Sequence, residues 1–300
     1  MKTIKSLLIT IVFLAMCYSV SAQFGIGRAV NRGINNAVEK KAEEATTKAI
    51  DDAAKKSEEE QAKEKEAEKA QKTQQETEDT PEEIPQVSNT PYTPSESEYA
   101  FFAMKEGAVQ VFVSKDAKGK TTAQTRNTIK SITGDKNAFA IAYETEILDE
   151  KGKSAGNDKP LVFNYRVVIK DDIMYLDMKE VFGAIEGLDD VQATGTAMKI
   201  PSNLVVRQKL PDASVKIKMG FINLSATMTE IECVDIENVI VEAGTYKCYK
   251  VSQKNNVTAV GSKHESTSIT WYAKGVGAVK TETYDKKGKL LSTQELVSHK

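Results

Sequence analysis

The 300-residue sequence holds 41 basic and 43 acidic residues, only two histidines and three cysteines, for a formal charge of −2 at neutral pH. Lysine and glutamate are interspersed almost everywhere, so the concentrated cationic surface that displaces counterions from nucleic acid is missing, and nucleic acid is excluded as a partner. Metal ligands and nucleophile–base pairs are equally scarce, and no cofactor is implied.

Lys2 and Lys5 precede an apolar run from Leu7 to Met16, and Val20-Ser21-Ala22 supplies compact residues for a signal peptidase. This pattern predicts a secretory signal peptide over residues 1–22. The apolar run falls short of the roughly 20 residues that span a bilayer. Cleavage after Ala22 leaves 39 basic against 43 acidic residues, a charge of −4, on an exported chain that is periplasmic or extracellular. Leu14-Ala15-Met16-Cys17 has the outline of a lipoprotein box. Met16 is too large for the position before an acylated cysteine, so an anchor at Cys17 is not expected.

Residues 23–78 are rich in Ala, Glu, Lys and Gln and contain no proline, which predicts a long charged helix. Val30, Ile34, Ala37, Val38, Ala42, Ala45, Ala49 and Ala53 fall within an arc of about 160°, interrupted by Lys41 and Lys48. Three readings stay open: a solvated spacer on the order of 75 Å long, self-association through the Ala/Val stripe, and a peripheral membrane contact through Phe24, Ile26, Val30 and Ile34 interleaved with Arg28 and Arg32. Residues 79–98 follow, with Pro81, Pro85, Pro91 and Pro94. Proline removes backbone donors and favours extended neighbours, so this stretch reads as a linker.

From residue 99 to 300 apolar and polar residues alternate in "GAVQVFVSKD", "NAFAIAYETEILDEKGK", "LVFNYRVVIKDD", "SVKIKMGFINLSATMTEIECVDI", "TYKCYKVSQ" and "SITWYAKGVGAVKTETYDKKGKLLSTQELVS". Period two with turn residues at 149–153, 171–172, 242–245 and 285–289 predicts a mainly β domain, an antiparallel meander of amphipathic strands. Val181, Phe182, Ile185 and Leu188 recur at helical spacing, which predicts one short helix over 178–188 covering a face of the sheet.

Three segments carry a resemblance: "IPSNLVVRQKLPDASVKI" at 200–217, "VEAGTYKCYKV" at 241–251 and "TWYAKGVGAVKTETYDKKGKLLSTQEL" at 270–296. In these the chain resembles the DUF3108/TapB-like domains of bacterial envelope proteins, which are similar in fold to lipoprotein carriers of the LolA/LolB type. One departure is "VVRQ" at 205–208, where the family more often has a glycine near Arg207. The resemblance implies a strongly curved antiparallel half-barrel whose concave face is apolar and partly closed by helix or loop. Relatives of that architecture bind acyl chains, so a lipid or other apolar small molecule is the implied partner.

The candidate cavity residues follow from parity. One face of the strand around 271 carries Ile269, Trp271 and Ala273, the other Thr270, Tyr272 and Lys274. The first set either fills the core or lines a ligand cavity. Gly275 and Gly277 read as a bend in one long strand.

Cys233 and Cys248 remain after signal cleavage, and an even count in an exported chain suggests a disulfide. A hairpin turning at Ala243-Gly244 would instead set Cys248 opposite residue 239 and Cys233 opposite Lys254, on the order of 20 Å apart. Both readings, a bridge or two buried thiols, stay open. His264 in "GSKHESTS" and His299 read as surface residues, and Asp171-Asp172, Asp189-Asp190 and Glu58-Glu59-Glu60 as solvated charges. No catalytic or metal-binding residue is singled out. The expectation is an exported, non-catalytic envelope protein binding an apolar ligand in its β domain. The alternative is an interaction module with a packed core and an oligomerising or spacer helix.

Overall fold

The computed structural model describes residues 84–95, 101–103, 105–155, 160–177, 192–219, 222–259 and 262–300. The signal peptide, the N-terminal helix and the helix expected over 178–188 lie outside the described residues. Within them the chain forms strands β1 (Val109–Asp116), β2 (Thr121–Gly134), β3 (Ala138–Leu148), β4 (Leu161–Lys170), β5 (Ile173–Leu176), β6 (Gln192–Thr196), β7 (Met198–Pro201), β8 (Ala213–Met219), β9 (Ile222–Val241), β10 (Gly244–Ala259), β11 (Ser262–Ala273), β12 (Gly277–Asp285) and β13 (Leu290–His299).

All belong to one antiparallel sheet in the order β6-β8-β9-β10-β11-β12-β13-β1-β2-β3-β4-β5-β7. Two meanders make it up, β1 to β5 and β8 to β13, and the β1–β13 pairing joins them side by side. The two edge strands are pieces of one stretch. Residues 192–196 pair with β8, Ala197 intervenes, and residues 198–201 pair with β5. The chain therefore steps from one edge of the sheet to the other within ten residues, and the sheet rolls into a nearly closed barrel. The expected curved antiparallel β domain is present, and it goes further round than half a barrel. At Gly195 the backbone of β6 lies so close to β8 that an added Cβ would meet the Ser214 carbonyl oxygen at 2.1 Å, so only glycine fits.

Three hairpins use the same five-residue loop: Asp-Ala-Lys-Gly-Lys at 116–120, Asp-Glu-Lys-Gly-Lys at 149–153 and Asp-Lys-Lys-Gly-Lys at 285–289. In each, the aspartate carboxylate accepts the amide N–H groups two and four residues on. The glycines at 119, 152 and 288 have φ of 78°, 78° and 77°, the left-handed region where a side chain is costly. The turn at Asp171-Asp172 has φ of 51° and 59° at its two central residues, the arrangement of a two-residue turn that matches strand twist.

The stretch read as one long strand with a bend around Gly275 is a hairpin. β11 ends at Ala273, β12 begins at Gly277, and the Val276 N–H donates to the Ala273 carbonyl.

The core divides in two. A large cluster includes Phe101, Phe102, Ile129, Phe139, Ile141, Tyr143, Tyr165, Val167, Met198, Val215, Ile231, Cys233, Val251 and Tyr272. Rings organise it: Tyr143 stacks on Tyr165 with centroids 5.3 Å apart, and Phe101 meets Tyr249 edge-on at 5.1 Å. A second cluster joins Phe112, Val241, Cys248, Trp271, Ala273, Val276, Val279 and Leu296, with Val239, Ala243, Tyr246 and Ile269 at its margin. The tip of the β9–β10 hairpin thus folds against β1, β12 and β13, and the Ala243 N–H donates to the Leu296 carbonyl.

Candidate functional site

The residues singled out around Trp271 come together in the second cluster. Thr270 and Tyr272 face the large core, and Ile269, Trp271 and Ala273 alternate to the other side, where they pack with Cys248. The indole N–H of Trp271 donates to Glu237 Oε1 at 2.7 Å. Lys250 and Lys280 stand over the ring at 5.1 and 5.2 Å from its centroid, and Lys250 also pairs with Glu237 at 3.1 Å. Glu237 is held below the usual carboxylate range, first by the indole bond and then by Lys250. This is a braced, filled corner.

Both cysteines are buried free thiols. The β9–β10 turn is Glu242-Ala243, one residue earlier than the Ala243-Gly244 turn read from sequence, which moves each partner by two positions, and bulges in β9 shift the register again. Cys248 lies opposite Glu237 and Cys233 opposite Val251. Three positions apart, about 10 Å at strand rise, they sit in different clusters, beyond the roughly 7 Å that a disulfide allows between Cα atoms. Burial, with Glu237 nearby, pushes the Cys248 thiol up to about 12, and burial raises that of Cys233.

His264 is within β11 rather than in a loop, paired with Val257, and His299 is half-buried at the end of β13, where burial lowers its pKa. Asp171 and Asp172 form the β4–β5 turn. Among the described residues no group of three His, Cys, Asp or Glu side chains could hold a metal ion.

The feature that sequence reading missed is inside the barrel. Gln110, Ser114, Thr125, Asn127, Thr145, Gln253, Asn255, Ser266, Ser268, Thr270, Thr281, Thr283, Ser292 and Gln294 are all buried, and none is charged. They alternate in phase with core residues of their strands: Asn127 with Ile129, Thr145 with Tyr143, Thr270 with Tyr272. Register makes them neighbours across seven strands, as in Ser268 opposite Thr283 and Thr283 opposite Ser292. Asn255 Nδ2 donates to Ser268 Oγ at 2.7 Å, which lies 3.3 Å from Thr283 Oγ1, and Thr145 Oγ1 donates to Asn127 Oδ1 at 2.9 Å. Among the described residues the hydroxyls of Ser266 and Ser292 have no hydrogen-bond partner, an expensive state for a buried donor and acceptor. On β2, β3, β10, β12 and β13 this belt lies toward the end that carries the three Asp-x-Lys-Gly-Lys loops, whereas Gln110 lies at the opposite end of β1, where its Nε2 donates to the Val276 carbonyl. Phe101 and Phe102, just ahead of β1, fill the opposite end. The neutral hydroxyls and amides thus form a belt along one wall of the interior, while Leu224, Ala226 and Val257 on β9 and β10 keep the facing part of the same end aliphatic.

All four exposed large hydrophobic side chains among the described residues gather along β9 and the loop beside it: Val205, Val206, Val234 and Ile240. Residues 208–210 run along β9, with Cys233 and Leu210 amides bonded to the Gln208 and Ile231 carbonyls. Arg207 then adopts φ of 71°, and the chain turns away.

A rolled antiparallel barrel with an uncharged polar belt in its interior is the class of domain that this geometry defines. Residues 105–296 match the DUF3108-like family, and the chain belongs to it. Two solved structures are similar to it in fold. One is a protein with a YmcC-like fold, assigned as exported, from Bacteroides fragilis NCTC 9343, at 19% identity, covering 67% of this chain and 99% of that one with a TM-score of 0.57. The other is assigned as a lipoprotein, from Parabacteroides distasonis ATCC 8503, at 21% identity with the same coverages and TM-score. No curated protein matches the chain.

Proposed function

We propose that this is an exported, non-catalytic envelope protein whose barrel takes an amphiphilic ligand, an acyl chain against the aromatic end and an uncharged polar head within the belt. The single observation behind this reading is the pair of buried, unpartnered hydroxyls of Ser266 and Ser292 inside a continuous neutral belt. A packed core does not leave such groups orphaned unless water or ligand completes them. The signal-like start of the chain and the envelope assignments of the two similar structures support export. The test is native mass spectrometry of protein purified from its own host without detergent, against the denatured mass. A lipid-sized adduct lost on denaturation and reduced in a Ser266→Ala, Ser292→Ala variant supports the reading. A bare protein refutes it.

A second reading, an interaction module with a packed core, is favoured by the gathering of Val205, Val206, Val234 and Ile240 on one flank. Val205→Thr with Ile240→Thr would then abolish a self-association seen by sedimentation of the full chain. A wild type that is monomeric throughout would remove the oligomeric form of that reading.

A further inference from the structure

The three Asp-x-Lys-Gly-Lys loops connect β1 to β2, β3 to β4 and β12 to β13. Register places all three at one end of the barrel: Asp116 pairs with Ser292 near the start of β13, and Leu148 at the end of β3 pairs with Gln124 near the start of β2. In sheet order β12-β13-β1-β2-β3-β4 they are successive hairpins on one sector of the rim, about 10 Å apart at roughly 4.8 Å per strand.

Their charges are arranged unequally. Each aspartate points back and is occupied by two backbone amides. Lys118, Lys120, Lys151, Lys153, Lys286, Lys287 and Lys289 are all exposed, and none forms an ion pair among the described residues. Over the fifteen loop residues seven lysines stand against four acids, of which only Glu150 is not a capping aspartate. A loop needs a turn residue at its fourth position and a cap at its first; nothing in turn formation asks for lysine at the third and fifth. A chain that disperses its charges elsewhere repeats the same cationic loop three times on one rim.

We infer that this rim sector docks the barrel onto a membrane surface rich in anionic lipid, with the lysines against the headgroups. Three rigid hairpins at one level around an arc present their charges toward a plane, which a lipid surface supplies and a folded partner's cleft does not. Attraction of this kind acts within a Debye length and accumulates with each lysine. Ser292, Thr283 and Ser114 of the buried belt lie close behind this rim. The inference does not require the interior to be loaded.

The test uses the full chain and vesicles of phosphatidylglycerol with phosphatidylcholine, or of phosphatidylcholine alone, in co-sedimentation at 50 and 500 mM salt. The expected result is binding to the anionic vesicles at low salt that falls at least tenfold at high salt. It should fall by a similar factor in Lys118→Glu, Lys151→Glu, Lys287→Glu, which leaves every capping aspartate and turn glycine in place. A same-charge control at the other end of the barrel, Lys105→Glu, Lys136→Glu, Lys170→Glu, should bind as wild type. Unfolding by urea, compared between the two triple variants, shows that both are folded. Equal binding of the rim variant and wild type overturns the inference, and so does equal binding to both vesicle types. Rim-dependent binding to soluble polyphosphate without binding to vesicles overturns the membrane as the source of the anion. A vesicle result of either sign is separable from the mass-spectrometric search for an internal ligand.

Discussion

Replacing Arg207 with glycine should stabilise the domain. Its φ of 71° places an L-residue in the left-handed region, at a cost of about 1–2 kcal/mol from the clash of Cβ with the backbone. The side chain is exposed, and the backbone N–H donates to the Cys233 carbonyl at 2.7 Å. Glycine keeps that bond and removes the clash, but loses about 0.5–1 kcal/mol more backbone entropy on folding. The balance is a gain of roughly 0.5–1 kcal/mol. Alanine keeps the Cβ and should gain nothing. Proline removes the donor and forbids the angle, and should lose about 3 kcal/mol. Urea unfolding followed by tryptophan fluorescence reads all three, with a higher midpoint at unchanged slope expected for Arg207→Gly. A glycine variant no more stable than the alanine variant would refute the argument from backbone strain.

In the native protein at pH 8, Cys233 and Cys248 should resist a thiol reagent, and both should react once urea unfolds the chain, because burial raises both thiols; fast native labelling would contradict their placement. Trp271→Phe removes the indole donor to Glu237 and should cost about 1–3 kcal/mol, with a smaller loss when Glu237 is already Gln. Backbone amides hold Asp149 and Asp285 below their ordinary 3.8, so the stability they add is complete above that value and disappears as pH falls through the lowered one. Asp149→Asn with Asp285→Asn should therefore be less stable than wild type at pH 6 and converge with it near pH 2; a gap that persists in acid would exclude this origin. Changing Asp171-Asp172 to Asn-Gly suits the two positive φ angles and should raise the urea midpoint, which a lower midpoint would disprove.

A strand such as "LVFNYRVVIKDD" is legible because its buried face is apolar, and "GAVQVFVSKD" is legible as a strand although its buried face is Gln110, Phe112 and Ser114 and not its valines. β2 is not, because Thr125 and Asn127 stand on its inner face where the rule expects leucine or valine. The same substitution of hydroxyls and amides for aliphatics hides the belt: a buried serine looks in sequence like a surface serine. The parity of Trp271 against Tyr272 could be read, but not which side the barrel encloses. That depends on how β9 to β12 curl at their ends, set by bulges at Val234 and Val279 that no local pattern announces. The left-handed angle of Arg207 has no local sequence signal, since arginine rarely adopts it.

The pairing of β1 with β13 has a consequence for how the chain reaches this state. Lys115 and Glu295, 180 positions apart, share one ion pair on adjacent strands. Closing so long a loop is slow, because its entropy is lost before the contacts that reward it form. Until β13 has arrived, β1 and β12 each present an unpaired edge, the template on which chains aggregate. A chain crossing a membrane from its N-terminus delivers β13 last, so the barrel assembles only after translocation is nearly finished, and its exposed edges must be guarded in the interval.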